Sequence, residues 1–296
     1  MFILMRRLFL LLYGCLFSLG VYGDEALTKG QAVVLGAIQG VTEFLPVSST
    51  GHMILANEIL FKDSCTSEQK AHVDNFLICV QVGTILTLLL FYRKYVLRIL
   101  RGWLGKDKLG FRLGLNVGVA FIPAGLLGFF CDGFIQKYFY TRNFIATSLC
   151  IGGIAIFLLE FYRKKRPARL DDVYQLSLRS AFVIGLFQMI ALWPGFSRSL
   201  ATIIGGIVVG FNLMQAINFS FLLGLLTSGV ASGYKFLKGG TVFLNAIPWD
   251  TCLLGISIAF IIGIATIGIF LRYIKNNGLQ IFGWYRVLIG ILLSIF

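Results

Sequence analysis

Two short stretches of the chain hold the residue types that handle phosphate. The first, GVTEFLPVSSTGH (Gly40–His52), gathers a glutamate, two serines, two threonines and a histidine, and Gln39 precedes Glu43 by four positions, so that both lie on one face of a helix. The second, PGFSRSLAT (Pro194–Thr202), carries Ser197, Arg198, Ser199 and Thr202. Proline breaks each stretch: Pro46 ends the arm that bears Glu43, and Pro194 with Gly195 interrupts the second. Ser48, Ser49 and Thr50 then offer capping hydroxyls to a following helix whose first turn holds His52, and Ser197 and Ser199 do the same in the second stretch. A helix N-terminus with free N–H groups favours an anion, phosphate in particular. The planar fork of Arg198 matches phosphate oxygens.

A carboxylate, an imidazole, hydroxyls, an arginine and two helix N-termini suit phosphoryl transfer or phosphate binding. Arg198 and the helix dipoles would neutralise charge. Glu43 would hold a divalent cation or act as base, and Ser49 or His52 would be nucleophile or proton carrier. Too few acids fall within the apolar regions for a two-metal site, which leaves at most one metal ion. Single hydroxyls in membrane helices mostly tie back to carbonyls or to neighbouring helices. Glu43 and Arg198 differ, because an ionisable group in an apolar hairpin is costly to bury, which points to function or to a mutual ion pair. Asp74, Gln81, Gln188 and Arg286 either line the same cavity or lock helices together; Asp132 and Glu160 read as interfacial, and His72 as a solvated loop residue.

The elements that must position these residues are membrane helices. Of 296 residues, 57% are hydrophobic and 13% charged, with a mean hydropathy of +0.85, and several apolar runs approach the roughly 20 residues that cross a bilayer. The net charge of +13 sits in short clusters between apolar runs, chiefly Arg93–Arg112 and Arg163–Leu170. Such clusters are read as cytoplasmic loops and not as a nucleic-acid surface. Residues 1–27 have the layout of a signal-like leader or N-terminal anchor, with Arg6 and Arg7 ahead of an apolar run. The six cysteines form no CxxC pair and read as packing residues; only Cys65 and Cys131, both placed in outer loops, are positioned to pair.

Six runs are long enough to span: Val73–Tyr92, Leu113–Phe130, Asn143–Tyr162, Ile217–Phe236, Thr251–Leu271 and Leu279–Phe296. With the basic clusters inside, Cys131–Arg142, Lys62–His72 and Lys238–Asp250 fall outside. Regions 28–61 and 175–211, too long for one helix and broken by proline, must then each enter and leave on one side, the first from outside and the second from inside. The expected fold is an all-α polytopic membrane protein with six full spans and two re-entrant hairpins. It is an inverted repeat of hairpin plus three spans, residues 28–170 and 171–296, forming one membrane domain. The echo of GAIQGVTEFLPVSS in GLFQMIALWPGFSRS supports the repeat.

The chain resembles the undecaprenyl-diphosphate phosphatases of the bacitracin-resistance type. The likeness rests on QGVTEFLPVSSTGH and PGFSRSLAT, and extends to CVQVGTILTLLLFYRK, FIPAGLLG, INFSFLLG and FGWYRVLIG, covering residues 28–296. It implies a bacterial inner-membrane enzyme that removes the terminal phosphate of a C55 polyprenyl diphosphate, with a divalent cation, Mg²⁺ or Ca²⁺, and an active site opening to the periplasm. The partners it implies are the lipid substrate, the bilayer and a second copy of the chain. Carried over, the acidic motif falls on Gln39 and Glu43, the serine and histidine on Ser49 and His52, and the basic motif on Ser197, Arg198 and Thr202. Two departures stand out: Gln39 occupies a position that family members fill with Glu or Gln, and Leu200 replaces the usual glycine after SRS. A flippase or anion transporter on the same inverted-repeat architecture is the competing reading; a structural scaffold leaves Glu43 and Arg198 unexplained.

Overall fold

The computed structural model describes residues 27–61, 67–245 and 248–295. The leader, Leu27 apart, and Cys65 lie outside the described residues, as do the side chains of His72 and Asp74. The described residues form eleven α-helices: α1 Lys29–Thr42, α2 Ser49–Phe61, α3 Ser67–Phe91, α4 Arg93–Trp103, α5 Lys108–Phe139, α6 Arg142–Lys165, α7 Leu178–Ile190, α8 Arg198–Val208, α9 Leu213–Asn245, α10 Trp249–Asn277 and α11 Gln280–Ile295. The chain is an all-helical, polytopic membrane protein. Helices α5, α6, α9 and α10 are long and apolar enough to cross a membrane.

The other two expected spans take different forms. The apolar part of α3 ends in a bend of 79° into α4, so the basic segment expected as a loop is an amphipathic helix with Leu97, Leu100 and Trp103 exposed. The final span, α11, has 16 residues, or roughly 24 Å at 1.5 Å per residue.

Two outer loops are also shorter than the sequence suggested. Helix α5 continues through Cys131 to Phe139, and α9 continues through Lys238 to Asn245. Apolarity stops where the hydrocarbon core stops, but the backbone ladder does not: 32 residues of α5 reach roughly 48 Å, against a core of about 30 Å.

Each proline-broken region forms a pair of short helices, α1–α2 and α7–α8. The first begins with a reciprocal cap, in which Thr28 Oγ1 accepts from the Gln31 N–H at 3.3 Å and Gln31 Oε1 from the Thr28 N–H at 2.9 Å. The two pairs exchange partners: α1 packs along α10, whereas α7 packs along α5. Glycine permits both approaches. A Cβ on Gly36 would sit 2.7 Å from the Gly255 carbonyl oxygen, and one on Gly185 would sit 2.5 Å from that of Ala120. Helix α6 packs on α11, and α3 on α9. Beneath the first hairpin the rings of Phe44, Phe221, Phe270 and Phe282 touch in sequence, all at most 2% exposed, and give the hairpin tips an apolar floor.

Candidate active site

The turns of the two hairpins share an unusual backbone. Ser48 (φ 73°) and Ser197 (φ 80°) are the non-glycine residues with positive φ among those described, a conformation costing roughly 1–3 kcal/mol for a residue with a Cβ. Each then caps the helix that follows: Ser48 Oγ accepts from the Gly51 N–H at 3.2 Å, and Ser197 Oγ from the Leu200 N–H at 3.4 Å. The strained turns aim the N-termini of α2 and α8 into one cavity of about 120 Å³, lined by Glu43, Ser48, Ser49, Thr50, Gln81, Ser197, Arg198 and Ser199 among others. First-turn N–H groups not taken by capping remain as anion donors.

Glu43 is the hub. It follows the last residue of α1, its N–H donating to the Gln39 carbonyl. Its Oε1 accepts from Arg198 Nη2 at 2.7 Å, and its Oε2 accepts from Ser49 Oγ at 2.7 Å and Gln39 Nε2 at 3.2 Å. The carboxylate and the guanidinium are both largely buried, where neither charge is tolerable without the other. Arg198 Nη1 is buried and has no protein partner, although the arginine itself lines the cavity. Gly224 of α9 creates the space, since a Cβ there would overlap Nη1.

The remaining expected residues divide into two groups. Ser49 and Thr50 line the cavity; Gln39 lines, with Glu43, Ser49 and Thr50, a larger adjoining cleft of about 590 Å³. Ser199 lines the cavity and joins the hairpins, donating to the Leu45 carbonyl at 3.4 Å and sharing a 3.0 Å contact with Ser197 Oγ. Thr202 is turned inward, donating to the Arg198 carbonyl at 2.9 Å and meeting Ser220 Oγ at 2.6 Å. His52 has both ring nitrogens engaged, Nδ1 with the Ser48 carbonyl at 2.7 Å and Nε2 with the Tyr285 hydroxyl at 2.6 Å. Its ring stacks on Tyr285.

Arg286 is fully buried and locks the site from below. Nη1 donates to the Pro46 carbonyl at 3.1 Å, and Nη2 to the carbonyls of Gly195 at 2.8 Å and Ser148 at 3.3 Å. One side chain thus fastens the turn of each hairpin. Gly152 leaves it room, for a Cβ there would overlap Nη2. Of the other polar marks, Gln81 lines both cavities and accepts from Ser232 at 3.0 Å. Gln188 is a buried acceptor for Thr227 at 3.3 Å. Glu160 bonds Arg163 and the Leu279 N–H.

Sequence reasoning missed Tyr285 and the cleft residues Lys235 and Lys238, which face the same space as Asp132 and Gln136. The available signal was the three-residue spacing of the lysines, which a helix running past Phe236 places on one face.

The donor set also bears on a cation. Among the described residues no three His, Cys, Asp or Glu side chains converge, and both Glu43 oxygens already accept hydrogen bonds. A cation held by the protein alone does not fit. Glu43 would be the carboxylate to contribute to a cation that arrives with a phosphate ligand, since Mg²⁺ commonly takes one or two carboxylates and completes its shell with substrate phosphates and water.

The family model described as bacitracin resistance protein BacA matches residues 32–292. The chain is 38% identical over 271 residues to a protein of Aquifex aeolicus named undecaprenyl-diphosphatase, covering 91% of this chain and 99% of that one. It is 38% identical over 262 residues to undecaprenyl-diphosphatase 1 of Clostridioides difficile, covering 88% and 93%. With the undecaprenyl-diphosphatase of Clostridium tetani the identity is 35% over 266 residues, covering 90% and 95%.

Proposed function

This chain belongs to the bacitracin resistance protein BacA family, and we propose that it is an integral-membrane hydrolase that converts undecaprenyl diphosphate to undecaprenyl phosphate and inorganic phosphate. The reaction regenerates a lipid carrier for cell-wall synthesis and accounts for bacitracin resistance. The observation that carries the reading is the double engagement of Glu43, one oxygen on Ser49 and the other on Arg198 of the opposite hairpin.

In the reaction we propose, the Arg198 guanidinium and the N-termini of α2 and α8 hold the terminal phosphoryl group. Ser49 Oγ gives its proton to Glu43 and bonds to the terminal phosphorus, and the bridging P–O bond breaks to release undecaprenyl phosphate. Glu43 passes that proton to the departing undecaprenyl phosphate and is a carboxylate again; it then takes a proton from the water that attacks the phosphoserine and returns it to Ser49 Oγ as the Oγ–P bond breaks and phosphate leaves. Glu43 would be the residue to hold a divalent cation, which would supply neutralisation of developing charge. His52, bonded at both nitrogens, is assigned to holding α2 against α11 and not to carrying the proton. Gln39 orients Glu43, while Ser48, Ser197 and Thr202 shape the turns.

The inverted repeat, residues 28–170 and 171–296, belongs to the same proposal. It is supported by the exchanged helix partners and by Gly36, Gln39 and Ser48 recurring in the same order and spacing as Gly185, Gln188 and Ser197. The cleft is assigned to the periplasmic side, because the basic helix α4 and the segment Arg163–Arg169 lie toward the other end of the bundle from its lysines.

The test is a phosphate-release assay on purified protein with undecaprenyl diphosphate and Mg²⁺. Wild type releases phosphate and R198A does not; equal release from both overturns the reading. Label from a substrate carrying ³²P in its terminal phosphate, retained on Ser49 after acid quench, identifies the nucleophile; label on no residue assigns the attack to water.

A further inference from the structure

We propose that Cys79 and Cys252 are joined by a disulfide that staples α3 to α10 at the outer end of the bundle. The two sulfurs lie 3.4 Å apart although 173 positions separate them in the chain. They belong to a seam in which the two helices run close together. Beside them Gly255 lies against Phe76 and Val80, with Val80 Cγ1 3.0 Å from the place of a Cβ, and Gly83 lies against Ile256 and Ala259. Further in, Thr87 Oγ1 donates to the Phe260 carbonyl at 3.2 Å. Small residues bring the two helices close along this seam, and the sulfurs, in contact at 3.4 Å, stand about 1.4 Å beyond the bonded separation of about 2.05 Å.

Depth decides whether an oxidant can reach the pair. Cys252 lies in the first turn of α10, its N–H donating to the Pro248 carbonyl at 3.1 Å. Two residues earlier, Asp250 pairs with Lys29 at 2.8 Å, both side chains more than half exposed. That ion pair marks the aqueous boundary, and the charge-derived topology places it on the outer, oxidising side. Cys79 is the more accessible of the two sulfurs.

The oxidant is a disulfide-bearing thiol oxidase of the outer compartment. The Cys79 thiolate attacks its disulfide, giving a mixed disulfide and one partner thiol; Cys252 displaces the second. Two electrons and two protons pass to the partner, which leaves as a dithiol. Because α1 packs against both α3 and α10, the bridge clamps the arm that ends in Glu43.

The test uses the full-length protein in its own membranes. Cells are quenched in acid, solubilised in SDS and treated with N-ethylmaleimide, then reduced and treated with iodoacetamide, and peptides are read by mass spectrometry. Cys79 and Cys252 of the wild type are expected to carry the second label, and Cys252 of C79S the first. Reductant should lower the thermal midpoint of the wild type and leave that of C79S unchanged. Maleimide on both cysteines of the wild type, or a cross-linked peptide joining either to another cysteine, overturns the proposal.

Discussion

Glu43 and Arg198 stand 155 positions apart in the chain and meet at 2.7 Å, one from the turn of each hairpin. Neither hairpin alone contains a charge-balanced site, since each buries one member of the pair.

Replacing Arg198 by lysine tests the fork separately from the charge. A lysine can still neutralise Glu43 but cannot bind the carboxylate and a phosphoryl oxygen with two planar donors. R198K is expected to fold and to lose about 10²-fold in kcat, measured by phosphate release alongside thermal unfolding in detergent.

Gly224 and Gly229 lie on the same helix and predict opposite outcomes. A Cβ at Gly224 overlaps Arg198 Nη1, whereas nothing lies within 4 Å of one at Gly229. G224A should lower kcat/KM by about tenfold or more through a displaced guanidinium, in line with the sensitivity of catalysis to small misplacements. G229A should match wild type in the same assay.

Removing Arg286 leaves the Pro46, Gly195 and Ser148 carbonyls without their donors in a buried setting. R286M should cost about 3 kcal/mol or more of stability, read as a drop in the thermal midpoint. G152A should move the midpoint in the same direction.

His52 and Tyr285 form one hydrogen-bonded, stacked unit. If the unit positions α2, then H52Q and Y285F should each lower activity modestly, and the double variant should lose little more than either single one. A histidine carrying the proton would add its own ionisation to the wild-type profile, and H52Q would lose it. The expected kcat/KM profile of H52Q therefore has the same shape against pH as that of wild type.

A cation shared with the substrate would give a distinctive pattern on chelation. EDTA should abolish phosphate release, and added Mg²⁺ should restore it. Mg²⁺ alone should leave the thermal midpoint unchanged, and Mg²⁺ with a non-hydrolysable diphosphate should raise it.

Much of the architecture was readable from the chain because the bilayer constrains it so heavily. Apolar runs of fixed length and two proline-broken stretches located most of the helices and the turns of both hairpins. Gln39, Glu43, Ser49 and Arg198 were identifiable because a costly charge or a capping hydroxyl in apolar surroundings demands a reason. The ends of α5 and α9 were not readable, because a helix leaves the membrane without leaving any mark in its hydrogen-bond ladder. Nor was the meaning of particular small residues. Gly224 and Gly152 look like any glycine in a membrane helix until the structure sets a guanidinium against each, and Cys79 and Cys252 look like packing residues until two helices bring them into contact. The sequence by itself determined which residues had to be accounted for. Only tertiary structure decided which of them meet, because pairing between Glu43 and Arg198, or between Arg286 and the two turns, depends on long-range packing that leaves no local pattern in the chain.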